Sequence, residues 1–216
     1  MRVDVWSDVV CPWCYLGKRR FELALAGFER RGEVEVVYRS FELDPRMPRG
    51  KAVPKVAELA RKFGTGEAEV RSMESRLERL AAEDGLEYNL EGTDLGNTFD
   101  AHRLLHLAKA RGLQAEVTDR FFRACFTERR SVFDEESLVD LAVEAGLDGA
   151  EARDVLRSDA YAADVRADIE EARALGANGV PFFVLDNRFG VSGAQSVETF
   201  TAALSQAFQD AGPLPK

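Results

Sequence analysis

The segment Trp6-Ser7-Asp8-Val9-Val10-Cys11-Pro12-Trp13-Cys14-Tyr15-Leu16-Gly17 decides the fold of this 216-residue chain. Upstream of it, Arg2 to Ser7 alternates, with Val3 and Val5 on one face, which is the period of a strand. Pro12 then stands where a helix can begin, because the first helical N–H has no partner inside the helix and its loss costs nothing. Tyr15, Leu16, Phe21, Leu23, Leu25 and Phe28 continue with helical spacing. This helix is expected to stop near Gly32, with Arg30 and Arg31 at its negative end. Glu33 to Phe41 alternates again as a second strand. Strand, helix, strand within the first 41 residues is a βαβ unit, whose strands should run parallel with a right-handed crossover.

Cys11 and Cys14 stand where strand gives way to helix. First-turn N–H groups are unpaired and carry partial positive charge, so a sulfur anion at Cys11 is favoured there. Three residues make nearly one turn, which sets both sulfurs on one side at a separation suited to a disulfide. A C-x-x-C motif opening a helix after a strand is a redox arrangement. Cys11 is expected to be the exposed nucleophile. Cys14 is expected to be the more buried thiol that closes the ring and releases the partner from a mixed disulfide. Pro12 pre-sets the helix, and Trp13 offers an apolar face to a substrate.

Other polar candidates read as structural. A zinc site needs four ligands, and the only other soft candidates are Cys125, His102 and His106. The two histidines are four apart on one helix but lack the surrounding Glu-containing zinc motif, so they are expected at the surface or between domains. Cys125, on an apolar helical stripe, reads as a small buried hydrophobe. No metal is expected. Asp8 either perturbs Cys11 or caps the turn. Lys18 and Arg19 read as surface residues with a mild electrostatic effect.

Composition narrows the classes. A content of 45% hydrophobic residues suits one globular unit or a small domain with a large insertion. A net charge of −9 argues against a nucleic-acid partner. No apolar run approaches the roughly 20 residues that span a bilayer, so no membrane partner is expected. Asp4 and Asp8 fall where a signal peptide would need an apolar core, and the chain reads as cytoplasmic. Three cysteines, an odd number, do not suggest a structural disulfide framework.

Beyond the turn-rich break at Asp44-Pro45 and Met47-Pro48-Arg49-Gly50, Val53 to Leu175 carries almost only helical periodicity. Helices are expected over 54–63, 67–84, 98–111, 114–128, 135–145, 148–157 and 160–175. After Gly176 strands return. Pro181 to Leu185, a turn at Asp186-Asn187-Arg188, and Phe189 to Gly193 make an antiparallel hairpin. Pro181 is tolerable at a strand start in either peptide isomer. A last helix over 196–210 carries Val197, Phe200, Leu204 and Phe208 on one stripe. The simplest packing is an α/β sheet with helices on both faces, interrupted by an all-helical insertion. The expected domains are 1–50 with 177–216, and the inserted 51–176.

Three segments carry a resemblance: Ser7 to Gly17, Asn97-Thr98 with Ala101-His102-Arg103-Leu104, and Gly179-Val180-Pro181-Phe182-Phe183. Together they resemble the DsbA family of thiol–disulfide oxidoreductases, in its FrnE-like branch of bacterial cytoplasmic enzymes, over essentially the whole chain. The resemblance implies a thioredoxin-like fold with a helical insertion, a Cys11–Cys14 dithiol with no other cofactor, and a cis-proline loop at Val180-Pro181. Pro12, Trp13, Val180 and Pro181 would then bind substrate, the Val180 backbone pairing with an extended chain. Protein or thiol substrates are implied, with glutathione as a candidate thiol. Monomer and homodimer are both left open. The same superfamily holds 2-hydroxychromene-2-carboxylate isomerases and kappa-class glutathione transferases, which typically carry Ser at the position of Cys11 and lack the second cysteine. A glutathione-dependent isomerase or transferase acting on small aromatic molecules is therefore the alternative.

Overall fold

The computed structural model describes residues 1–210. β1 (Arg2–Ser7) leads into α1 (Pro12–Ala26), a 3-10 turn (Arg31–Glu33) and β2 (Glu35–Ser40). There follow β3 (Ala52–Pro54), α2 (Lys55–Phe63), α3 (Glu67–Glu83), β4 (Asp94–Gly96), α4 (Phe99–Ala110) and α5 (Gln114–Phe126). Next come α6 (Glu135–Glu144), α7 (Gly149–Leu156), α8 (Ala162–Ala174), β5 (Phe182–Leu185), β6 (Phe189–Ser192) and α9 (Val197–Asp210). No helix among the described residues is long and apolar enough to cross a membrane. Among the described residues two compact units result: 1–43 with 168–210, and Asp44–Ala167.

The first unit is built on a four-stranded sheet of order β2-β1-β5-β6. β2 is parallel to β1, and β5 is antiparallel to both β1 and β6. Because side chains alternate along a strand, β1 sends Val3 and Val5 to one face and Trp6 to the other. Val3 and Val5 pack with Phe183, Leu185, Phe21 and Ala24 of α1, and Phe200 and Leu204 of α9. Phe200 stands edge-on to Phe183 and Phe21, with ring centres 4.7 and 5.5 Å apart, an arrangement aromatic quadrupoles favour. Trp6 and Val184 pack instead with Ala172 and Ala177.

Polar ties complete that second face. The Trp6 indole donates to the Asp168 main-chain carbonyl at 2.8 Å. The Asp168 carboxylate accepts from Arg39 Nη1 at 2.8 Å and from the Ser40 amide at 2.9 Å, and Arg39 Nε also donates to Asp4 at 2.7 Å. These ties draw the C-terminal part of α8 into the sheet unit, so the border falls inside a helix rather than at residue 177. Periodicity reads α8 as one helix; its partner Arg39 lies 129 residues earlier in the chain.

Two local expectations differ from the structure. α1 ends at Ala26, not near Gly32. Phe28 lies beyond the helix end and packs against Phe208, ring centres 5.2 Å apart. Its helical spacing was therefore a docking contact, and Arg30 is engaged by Glu33 instead of the helix end. In the second unit, β3 and β4 form an unexpected two-stranded ribbon pairing Val53 with Leu95. Three-residue strands containing Pro54 leave no alternation to read. Gly96 in that ribbon is required by space, since a Cβ there would lie 2.6 Å from the Phe133 ring and 2.8 Å from the Lys51 carbonyl.

Candidate active site

Cys11 is the N-cap of α1, with extended backbone (φ −91°, ψ 108°) and Pro12 in the first turn. Its amide donates to the Asp8 carbonyl at 3.0 Å, and its carbonyl accepts from the Cys14 amide at 2.9 Å. The strand thus ends in one tight turn and the helix starts at once. On the neighbouring strand, Phe182 pairs with Trp6, which sets Val180-Pro181 beyond the end of β1, beside the motif. The Val180–Pro181 bond is cis. The Cys11 thiol donates to the Val180 carbonyl across 3.6 Å. Cys11, Cys14, Val180 and Pro181 are therefore brought together.

The expectation of an exposed Cys11 is corrected. Its relative exposure is 4%, against 2% for Cys14, whereas Trp13 between them is 46% exposed. The Val180 carbonyl lies against the Cys11 sulfur, and a neighbour so remote in sequence is invisible to local periodicity. All three cysteines are in the thiol form, none joined in a disulfide.

Burial is also the main cause that pushes the Cys14 thiol well above the ordinary cysteine range. A hydrogen bond with Cys11 and the charge of Cys11 push it further in the same direction. Hydrogen bonds from the Ser7 hydroxyl and the Asp8 main chain oppose them. Cys14 thus holds its proton at neutral pH and serves poorly as the first attacking group. Ser7 was not singled out in the sequence; its signal was only its place as the last residue of β1, one turn of chain before the motif.

The remaining candidates resolve as follows. Asp8 is buried, and its carboxylate accepts from the Leu43 amide at 2.8 Å, so it fixes the chain after β2. Lys18 is buried rather than on the surface, paired to Glu22 at 2.6 Å one turn along α1. His102 is buried within α4, which removes the surface half of the expectation, and His106 stacks on Tyr161. Its neighbour Arg103, also buried, donates to the carbonyls of Val155, Ser158 and Ala160 and so closes the C-terminal end of α7. Cys125 is buried in α5, as its apolar stripe implied. Among the described residues no group of three or more His, Cys, Asp or Glu is placed to hold a metal ion.

The DSBA-like thioredoxin domain matches residues 2–205. The chain belongs to the DSBA-like thioredoxin family. The crystal structure of a probable DsbA oxidoreductase, SCO1869 from Streptomyces coelicolor, is similar with a TM-score of 0.96 and 53% identity, covering 100% of this chain and 93% of that one. YwbO of Bacillus subtilis (strain 168), itself uncharacterized, is 29% identical over 207 residues, 95% of this chain and 96% of its own. A 2-hydroxychromene-2-carboxylate isomerase structure shares the fold at TM-score 0.70 and 18% identity, covering both chains fully. Members of the DSBA-like family are oxidoreductases or isomerases, and the thioredoxin-like fold expected from the sequence is the one observed.

Proposed function

We propose that this protein exchanges disulfides with protein substrates through the Cys11–Cys14 dithiol. The observation that carries the reading is the Cys11 sulfur at the helix start, held against Val180, with the harder-to-ionise Cys14 one turn further on. The Cys11 thiolate attacks one sulfur of a substrate disulfide. A Cys11–substrate S–S bond forms as the substrate S–S bond breaks, and the displaced sulfur leaves as a thiolate and takes a proton. Cys14 then loses its proton and attacks the Cys11 sulfur. The ring closes, and the second substrate sulfur leaves and is protonated. Two electrons have passed from the dithiol to the substrate. In the cytoplasm, the setting expected from the sequence, two glutathione molecules restore both thiols and leave as glutathione disulfide. Exposed Trp13 and the Val180 backbone are the surfaces offered to an extended chain.

Insulin reduction with glutathione as electron donor tests the reading. Cys11→Ser is expected to abolish turnover. Cys14→Ser is expected to accumulate a mixed disulfide visible by mass spectrometry. Turnover unchanged by Cys11→Ser would overturn the mechanism. An isomerase needs only position 11, so isomerisation of a hydroxychromene carboxylate surviving Cys14→Ser, in an enzyme inert toward insulin, would replace it.

A further inference from the structure

Gly17 lies inside α1, where glycine is a poorer helix former than alanine. No left-handed backbone accounts for it. The reason is proximity: a Cβ at this position would lie 2.8 Å from Pro181 Cγ and 3.4 Å from both Ala194 Cα and Ala194 Cβ. Three residues along, Arg20 Nη1 donates to the Ala194 carbonyl at 2.9 Å. The adjoining Gly193 amide donates to the Pro181 carbonyl at 2.8 Å. One helix thus grips both segments that flank the dithiol. At Gly17 it admits Pro181 by offering no side chain, and at Arg20 it ties down the segment that holds Pro181.

We propose that Gly17 and Arg20 are positioning residues that set how closely the Val180–Pro181 loop approaches Cys11, and through it which disulfides Cys11 accepts. The inference rests on the disulfide-exchange reading. A methyl group at position 17 must drive Pro181 Cγ from 2.8 Å to beyond 3.0 Å, toward the 3.4 Å at which ordinary contact begins. The Val180 carbonyl, joined directly to Pro181, moves with it from its 3.6 Å contact with the Cys11 sulfur. An extended polypeptide that reads both the sulfur and the Val180 backbone loses its alignment. A small aromatic disulfide that needs only the sulfur does not.

The test compares wild type, Gly17→Ala and Arg20→Met in two reactions: insulin reduction, and the second-order reaction of reduced protein with dithiobis(nitrobenzoate). Since a 1 Å misplacement can cost about 100-fold, Gly17→Ala, with its smaller shift, is expected to slow insulin turnover about tenfold, while the small reagent, which needs no alignment, reacts within about threefold of wild type. A merely structural loss would lower both through the folded fraction. Gly27→Ala, a helix-end position where a Cβ meets nothing closer than 3.8 Å, serves as the unchanged control. In a Pro181→Ala background, which lacks Cγ, Gly17→Ala should change insulin turnover less than about twofold, because the coupling belongs to that pair. Should Gly17→Ala fail to fold, Arg20→Met carries the test in the same direction. Wild-type insulin turnover in the folded variants, or equal slowing in both Pro181 backgrounds, overturns the inference. A wild-type protein inert toward insulin instead overturns the disulfide-exchange reading itself.

Discussion

Replacing Asp168 with alanine removes the carboxylate that fastens α8 to the sheet. In the folded protein that side chain is 4% exposed and accepts hydrogen bonds from Arg39 and from the Ser40 main chain. The two losses differ in kind. Arg39 keeps Asp4 at 2.7 Å and is partly open to solvent, so its charge is not stranded and the lower end of the charged-bond range applies, about 1.5 kcal/mol. Ser40 is buried, and leaving a buried donor unmet costs about 1–3 kcal/mol. The sum is about 3 kcal/mol, or a fall in Tm of roughly 6–12 °C for a chain of this size. Asp168→Asn keeps an acceptor for Ser40 and loses only the charge, so it should cost about 1 kcal/mol. Thermal and urea unfolding followed by far-UV circular dichroism measure both variants. Equal losses for Ala and Asn, or a loss under about 1 kcal/mol for Ala, would show that the amide bond is not what holds the helix to the strand.

Other outcomes follow from the same geometry. Burial, then Cys11, raises the Cys14 thiol, so the folded reduced protein keeps a proton that the unfolded chain releases. That contribution is fully present below the unfolded cysteine value and is lost as pH rises through the folded one; the oxidised protein lacks it. Urea midpoints should therefore favour the oxidised form increasingly above pH about 9, and a gap independent of pH from 7 to 10 would contradict the assignment. Phe200→Ala, emptying the space between Phe21 and Phe183, should cost about 3–5 kcal/mol in urea unfolding; a loss below about 1.5 kcal/mol would mean the site collapses around the hole. Arg103→Lys keeps the charge but not the fork that meets the Val155, Ser158 and Ala160 carbonyls, and should lower stability by about 2 kcal/mol. A lysine variant as stable as wild type would remove the capping role from that arginine.

What the amino-acid order determined by itself is what local physics controls. Alternation at Val3 and Val5, the proline after Cys11 and the hairpin turn at Asp186-Asn187 settle strand, helix start and strand pair, because side-chain period and allowed backbone angles act within a few residues. The same applies to the spacing of Cys11 and Cys14, which puts two sulfurs on one helical turn wherever the helix lies. Tertiary structure decided everything that depends on partners far along the chain. It buried Cys11 under Val180, turned Lys18 and His102 inward, and gave Asp8 a role in fixing Leu43. It also drew Asp168 to Arg39, so that a helix read as part of the insertion is shared with the sheet unit. Burial and the fate of a polar group are set by what the fold brings alongside, and no window of neighbouring residues contains that information.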